Sequence, residues 1–176
     1  MAIFRIDQDN LAQNDNGYIV PGTVNTIAQY AAQGTISEGY EVEVVGQPIE
    51  GWNINAGYSQ FTAQDANDLD VNTDSPRKQF KLFTTYNLSS LLPELTVGGG
   101  INWQGETSLG SDTAKINQDS YALINLMARY QFSEAMNLQL NVNNLTDEKY
   151  YSYLSSNGQF RYGDPRNVTA NLKYRF

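Results

Sequence analysis

The last ten residues decide the fold class of this 176-residue chain, and they read Asn-Val-Thr-Ala-Asn-Leu-Lys-Tyr-Arg-Phe from Asn167 to Phe176. Every second residue is apolar, and each residue between is polar. Strand side chains point alternately to opposite faces, so the pattern predicts a β-strand with one apolar and one polar face. The apolar face would hold Val168, Ala170, Leu172, Tyr174 and Phe176.

The same period of two recurs through most of the chain, whereas the helical period is almost absent. Leu138, Leu140 and Val142 alternate with Asn and Gln, and Trp52 opens a similar stretch. Runs of this kind, bounded by turn-forming residues, are typical of strands. We therefore predict eight strands, at 2–12, 36–46, 51–62, 77–87, 95–105, 119–132, 137–153 and 166–176.

The connections between these strands alternate strictly in length. Short ones lie at 46–50, 87–94 and 133–136, and long polar ones at 13–35, 63–76, 106–118 and 154–165. If successive strands are antiparallel, all the long connections lie at one end. The sequence therefore predicts an all-β fold: an antiparallel transmembrane β-barrel segment of about eight strands, with long extracellular loops and short periplasmic turns.

The composition of the two faces favours a membrane over a soluble β-sandwich. The polar face is rich in amides rather than in Lys and Glu, and aromatic residues gather near strand ends. Such residues anchor a barrel at both membrane interfaces. The predicted belt at the short-turn end is Trp52, Tyr86, Tyr130, Phe132, Tyr174 and Phe176, and that at the long-loop end is Tyr40, Tyr58, Phe61, Phe80, Trp103, Tyr121 and Tyr150.

Charge and composition exclude several kinds of function. The chain has 19 acidic and 11 basic residues, a net charge of -8, so it lacks the basic surface that nucleic acid requires. It contains no Cys and no His, which removes disulfides, thiolate zinc sites and Ser-His-Asp triads. We expect no enzymatic activity, no catalytic residue, no metal site and no cofactor. The acidic stretch 65–74 lacks the Gly of a calcium loop at Thr73, so we interpret it as a solvated loop.

The start of the sequence lacks the features of a secretory signal. Met1 leads directly into Ala2-Ile3-Phe4-Arg5-Ile6, without a basic start, a long apolar run or a small-residue cleavage site. We therefore expect either a cytoplasmic protein or a mature or excised piece of a larger one.

Several motifs resemble those of TonB-dependent outer-membrane receptors, in their ferric-siderophore branch. The stretch 143–151, Asn-Asn-Leu-Thr-Asp-Glu-Lys-Tyr-Tyr, resembles their Asn-Leu-Phe-Asp-Lys-x-Tyr-Tyr signature, and 162–168 is similar to the Gly-x-Pro-Arg stretch that opens their last strand. Residues 37–43 and 76–82 resemble two earlier strands. Thr146, Glu38 and Lys78 depart from the usual Phe, Arg and His.

The resemblance implies a location and a function. The chain would be the C-terminal part of a receptor barrel over 1–176, without the plug domain and the TonB box, in the outer membrane of a Gram-negative bacterium. The whole receptor would take up ferric siderophores with energy from TonB, and this fragment would not transport alone. Its expected partners are outer-membrane lipid, the remaining barrel strands, the plug, TonB and the ferric siderophore as transported ligand.

The resemblance also implies candidate residues. Siderophore receptors bind iron chelates on aromatic and Arg-bearing walls, because aromatic faces stack with little entropy loss and Arg pairs with an anionic chelate. The outer aromatic belt is the alternative role for each of these aromatics. Phe176 would be the C-terminal signal for barrel assembly. The candidate ligand-binding residues are Tyr153, Phe160, Arg161 and Tyr162.

Two other functions are compatible with the strand pattern. An autonomous eight-stranded outer-membrane barrel with a binding or structural role fits the length of the chain. A soluble β-sandwich binding module would require the apolar faces to pack against one another in a dry interior.

Overall fold

The computed structural model describes residues 1–9, 12–24, 27–31, 34–110, 115–154 and 159–176, without the side chains of 12–18 and 27–31. All regular structure in this part of the chain is β-strand. The strands are β1 (Ala2–Gln8), β2 (Ala12–Ile19), β3 (Ile27–Ala31), β4 (Thr35–Ile49), β5 (Trp52–Gln64), β6 (Lys78–Asn87), β7 (Leu95–Gln104), β8 (Thr107–Leu109), β9 (Ile116–Gln118), β10 (Tyr121–Ser133), β11 (Met136–Asn143), β12 (Tyr151–Leu154), β13 (Phe160–Tyr162) and β14 (Asn167–Tyr174).

Within the described residues, eight strands form one main sheet in the order β1-β4-β5-β6-β7-β10-β11-β14. The pairs from β5 to β14 are antiparallel. Three small hairpins, β2–β3, β8–β9 and β12–β13, lie within long connections. The all-β antiparallel fold and the alternation of short turns with long connections are therefore confirmed.

The chain forms two compact units. The larger comprises Met1, Glu41–Gln60 and Thr73–Phe176. The smaller comprises Ala2–Tyr40 and Phe61–Asn72. In the smaller unit Arg5 forms ion pairs with Asp7 at 3.1 Å and with Glu38 at 2.5 Å, on exposed side chains.

In the larger unit the strand register keeps apolar residues opposite apolar residues. Leu82 lies opposite Ala56 on one side and Ile101 on the other. Leu140 lies opposite Ala128 and Ala170. Because a slip of one residue would invert every side chain, this match fixes the register across six strands.

The polar side chains of the opposite face bond to one another. Gln139 Nε2 donates to Asn141 Oδ1 at 2.8 Å, and Asn141 Nδ2 donates to Thr169 Oγ1 at 3.2 Å. Asn143 Nδ2 donates to Asn167 Oδ1 at 2.9 Å. The amide-rich face predicted from the sequence is therefore a hydrogen-bonded surface.

Two polar side chains on the apolar face, Trp52 and Thr84, have partners within the sheet. The Trp52 indole N–H donates to Thr84 Oγ1 at 2.8 Å, and the Thr84 hydroxyl donates to the Asn53 carbonyl at 2.9 Å. A polar group directed at hydrocarbon must be satisfied internally, since lipid offers no hydrogen bonds.

The apolar faces do not form a dry core. Among the described side chains, Ala63 is the one buried hydrophobic residue. By contrast Leu140 is 44 % exposed and Leu172 is 67 % exposed. A soluble sandwich would bury such residues between its layers, so this interpretation is excluded for the described part of the chain. Exposed apolar faces of this extent are typical of strands directed at lipid.

Several predicted boundaries are wrong. The first strand ends at Gln8 rather than at 12, and residues 10 and 11 of that prediction lie outside the described part. β4 continues to Ile49, through the predicted turn, because the reversal occurs at Gly51, whose φ of +80° suits glycine. The predicted strand 137–153 ends at Asn143, and residues 144–150 form a turn.

None of the described residues belongs to a helix that is long and apolar enough to span a membrane.

Candidate functional site

The candidate site is the connection between β11 and β14, and Asn144 forms its base. Asn144 is 4 % exposed and has a φ of +50°. Its side-chain amide donates to the backbone carbonyls of Glu148 at 2.9 Å and Asp164 at 3.1 Å, while its Oδ1 accepts from the Glu148 N–H at 2.8 Å. One side chain therefore ties the turn after β11 to the segment that leads into β14.

A second set of hydrogen bonds joins the turn after β11 to the segment that leads into β14. Asp147 has a φ of +58°, and its Oδ1 accepts from the Arg166 N–H at 2.9 Å. The Arg166 guanidinium donates to the Leu145 carbonyl at 3.4 Å. Asn and Asp tolerate this left-handed backbone better than most residues, which explains why the strand ends here.

Two further contacts attach this connection to its neighbours. The Tyr151 N–H donates to Oε1 of the buried Gln118 at 2.6 Å. The Tyr150 ring stacks on Tyr121 with centroids 4.5 Å apart. Tyr121 lies opposite Gln104, on the polar face. Its predicted place in the outer aromatic belt with Tyr150 is therefore wrong, whereas Tyr58, Phe80 and Trp103 do form one apolar row as predicted.

Three aromatic rings cluster on one side of the β12–β13 hairpin. The Tyr151 ring lies 5.2 Å from Phe160 and 5.0 Å from Tyr162, and the latter two rings are 5.9 Å apart. Phe160 is 51 % exposed and Tyr162 is 61 % exposed. We call Tyr151, Phe160 and Tyr162 the aromatic triad. Its rings stack on one another and still offer surface to a ligand.

The hydroxyls of two triad residues are linked. The hydrogen bond that Tyr151 makes with the Tyr162 side chain, together with the charge that Tyr162 would carry, raises the pKa of the Tyr151 hydroxyl. A raised tyrosine pKa means that the protonated form of Tyr151 is favoured.

Arg161 and Tyr153 lie on the opposite side of the hairpin. They are paired across it, and the register shifts at Ser152, between the Tyr151 and Tyr153 pairs. The Arg161 Nε donates to Ser152 Oγ at 3.2 Å, and the Ser152 hydroxyl lies 3.2 Å from the carbonyls of Arg161 and Tyr162. Arg161 and Tyr153 are both exposed. This contact places the Arg161 guanidinium beside Ser152 on the surface of the hairpin.

The four predicted ligand residues therefore belong to one hairpin but to two of its faces. Phe160 and Tyr162 share the triad face, and Tyr153 and Arg161 share the other. Residues 155–158, between the two strands in sequence, lie outside the described part.

Sequence reasoning missed the role of Asn144, because an isolated Asn carries no signal for a left-handed, buried conformation. Tyr151 was recognisable only as one aromatic among several nearby.

The acidic stretch 65–74 forms a local turn. Asp65 Oδ1 accepts from the backbone N–H groups of Asn67 at 2.8 Å and Leu69 at 3.0 Å. No group of three acidic side chains converges as metal ligands within the part of the chain that the structure describes.

Comparisons with known proteins agree with this architecture. Residues 1–145 match the family model "TonB dependent receptor-like, beta-barrel". The chain is 43% identical over its whole length to the ferric-pyoverdine BN7/BN8 receptor of Pseudomonas putida, covering 20% of it. It is 35% identical to the ferripyoverdine receptor of Pseudomonas aeruginosa, again over the whole chain and 22% of the relative.

A solved structure gives the same result. The pyoverdine outer membrane receptor of Pseudomonas aeruginosa PAO1 bound to pyoverdine superposes on 99% of the chain and 26% of its own length, with a TM-score of 0.88 and 34% identity. The chain thus spans about a fifth of the length of the curated relatives it matches. Those relatives are receptors rather than enzymes. Taken with the two-faced antiparallel sheet, these matches establish that the chain belongs to the TonB-dependent receptor family, as a segment of its outer-membrane β-barrel.

Proposed function

We propose that this chain is the C-terminal barrel part of an outer-membrane receptor that takes up ferric siderophores with energy from TonB. Support comes from the family and from relatives named as ferric-pyoverdine receptors. The observation that carries the proposal is the hairpin at the long-connection end, where an aromatic triad and Arg161, which bonds to Ser152, are exposed.

The chemistry of this hairpin suits an iron chelate. A ferric siderophore is a large, semi-polar ligand that is often anionic. Exposed rings of Phe160 and Tyr162 offer flat surfaces for stacking, and the Arg161 guanidinium offers paired N–H donors to anionic oxygens. Tyr153, opposite Arg161, adds a hydroxyl and a ring on the same face.

In this proposal the chain does not transport alone. The remaining barrel strands would close the ring, and the plug and TonB would gate and energise passage of the ligand. Phe176, fully exposed at the end of the chain with its ring 5.4 Å from that of Tyr174, would serve as the assembly signal.

The test is a hybrid receptor, in which this chain replaces the matching segment of the ferric-pyoverdine BN7/BN8 receptor. Binding of its ferric pyoverdine is measured on de-energised cells for R161Q and for the double variant F160A/Y162A. Loss of a charge-assisted hydrogen bond predicts that R161Q weakens binding about tenfold or more. Loss of ring contacts predicts a change of about threefold to tenfold in F160A/Y162A.

The matched control is R175Q, which removes the same charge at the short-turn end. It should bind as the unsubstituted hybrid does. The two faces of the hairpin are tested separately, so a loss in one variant alone assigns the ligand to that face. If R161Q and F160A/Y162A both bind like the unsubstituted hybrid, the hairpin is not the ligand site.

A further inference from the structure

Gln118, the last residue of β9, is a buried polar side chain in a different long connection from the candidate site. Gln118 is 8 % exposed, and Thr107, opposite it on β8, is 7 % exposed. This burial comes from residues of this chain, so the addition of further barrel strands would not expose the side chain. Because a buried amide needs hydrogen-bond partners, the partners of Gln118 indicate its role.

Both ends of the Gln118 amide are used, and its two bonds join two connections. Its Oε1 accepts from the Tyr151 N–H at 2.6 Å, and its Nε2 donates to the Asp119 carbonyl at 2.9 Å. A half-turn of the amide would place N–H against N–H and oxygen against oxygen, so these partners determine its orientation. The side chain therefore bonds the end of β9 to the first residue of β12.

The hairpin that Gln118 contacts is too short to be stable by itself. β12 has four residues and β13 has three, and an isolated two-stranded hairpin is at best marginally stable in water. Tyr151, whose backbone bonds to Gln118, also carries the ring that packs 5.2 Å from Phe160 and 5.0 Å from Tyr162. Gln118 thus contacts the hairpin at the residue on which the aromatic triad is assembled.

The β8–β9 hairpin is itself bonded to two other parts of the larger unit. The Ser108 N–H donates to the Thr73 carbonyl at 2.8 Å, and the Thr73 hydroxyl donates to the Ser108 carbonyl at 2.8 Å. Just before β8, the Gly105 N–H donates to the carbonyl of Lys78 in β6 at 2.8 Å. The support that Gln118 gives to Tyr151 is therefore connected to the main sheet.

We propose that Gln118 is a positioning residue, which holds the β12–β13 hairpin in its binding conformation before the ferric chelate arrives. This inference rests on the proposed function. Gln118 need not touch the ligand, because it acts through the backbone of Tyr151. A receptor that already has its hairpin in place does not have to order it during binding, so the ligand associates faster. If the hairpin is held in only a fraction of the receptors, the apparent affinity falls in proportion to that fraction.

The experiment uses the purified hybrid receptor and the variant Q118M. Methionine has a similar length to glutamine but offers only a weak acceptor to the Tyr151 N–H. The matched control is N117M, since Asn117 is the preceding residue of β9 and is exposed. The rate constants for association and dissociation of ferric pyoverdine are measured for each variant. Amide hydrogen exchange of residues 152–154 and 160–162 is measured without ligand.

Loss of one hydrogen bond to a marginal hairpin predicts that exchange in Q118M becomes about fivefold faster or more. The association rate constant should fall about fivefold or more, while the dissociation rate constant stays within about twofold. N117M should match the unsubstituted hybrid in all three measurements. This pattern differs from the loss of a direct ligand contact, as in R161Q, which acts mainly by faster dissociation.

Two results would overturn the role of Gln118. One is exchange and association in Q118M at the rates of the unsubstituted hybrid. The other is a loss of affinity that lies wholly in faster dissociation. If the unsubstituted hybrid binds no ferric pyoverdine, the proposed function is contradicted instead, and the exchange measurement still decides whether Gln118 holds the hairpin.

Discussion

The Tyr150 ring occupies the space beside the α-carbon of Gly163, so that a Cβ built on Gly163 would overlap the ring. The two residues also share a backbone hydrogen bond, from the Gly163 N–H to the Tyr150 carbonyl at 2.8 Å. The start and the end of the connection that carries the candidate site are therefore joined at one point. Glycine is required at 163 because of close approach.

Replacing Gly163 by Ala should displace the Tyr150 ring and separate it from Tyr121. Because a shift of the ring would break this stack, we expect the hairpin to lose about 1–3 kcal/mol of local stability. Amide hydrogen exchange of residues 151–154 and 160–162 in the hybrid receptor measures this change directly.

Gly46→Ala is the control for that substitution, since a Cβ at Gly46 would meet no atom within 4 Å. It should leave exchange at the hairpin unaltered. Equal exchange rates in G163A and G46A would mean that Tyr150 does not hold the connection in place.

Asn144 should stabilise the folded chain in two ways, through the hydrogen bonds of its side chain and through its tolerance of a positive φ. Asn144→Gly keeps access to the positive φ but leaves the carbonyls of Glu148 and Asp164 without their donors, at a cost of about 1–3 kcal/mol. Asn144→Ala adds left-handed strain of about 1 kcal/mol or more. Thermal unfolding of the hybrid receptor should therefore rank the variants with Asn above Gly and Gly above Ala. An Ala variant as stable as Gly would contradict the strain argument.

The link between Tyr151 and Tyr162 predicts a pH dependence of the triad. The folded-state pKa of Tyr151 is raised above the ordinary tyrosine value of about 10. The stabilising contribution of the bond is thus complete below that ordinary value and is lost as pH rises through the raised pKa.

Tyr162→Phe removes the hydroxyl that bonds to Tyr151, so Tyr151 should then lose its proton at a lower pH. NMR titration of Cζ-labelled tyrosine in the hybrid receptor follows this event. Tyr153→Phe, on the other face of the hairpin, is the control and should leave the Tyr151 titration where it was. A Tyr151 titration that Tyr162→Phe does not move would exclude the hydrogen bond as the cause.

The main sheet could be predicted from the sequence because the alternation of apolar and polar residues shows which face of its strand each side chain occupies. Leu138, Leu140 and Val142 have the same period as Val168, Ala170 and Leu172, and this match also determines the register between β11 and β14. The positions of the turns were harder to predict from the sequence. The chain reverses at Glu50 and Gly51 rather than over the whole stretch 46–50, and Asn144 ends a strand that alternation alone would continue.

The candidate site could be predicted in its residues but not in its geometry. The concentration of aromatics around Arg161 is visible in the sequence, and the resemblance to siderophore receptors adds to it. The register shift at Ser152, which places Tyr151 and Tyr153 on different faces, depends on pairing across the hairpin. The place of Tyr121 on the polar face likewise follows from its pairing with Gln104 rather than from its position near a strand end.

The proposed receptor function requires one orientation of the sheet, with its apolar face toward lipid and its amide face toward water. The chain has no Cys, so single cysteines can be introduced at the six positions 138–143 and spin-labelled in an otherwise cysteine-free hybrid receptor in bilayers. Oxygen concentrates in lipid, and a water-soluble nickel chelate stays in the aqueous phase. We predict high oxygen accessibility at 138, 140 and 142 and high nickel accessibility at 139, 141 and 143. Reversed alternation, or no alternation along the strand, would contradict the account.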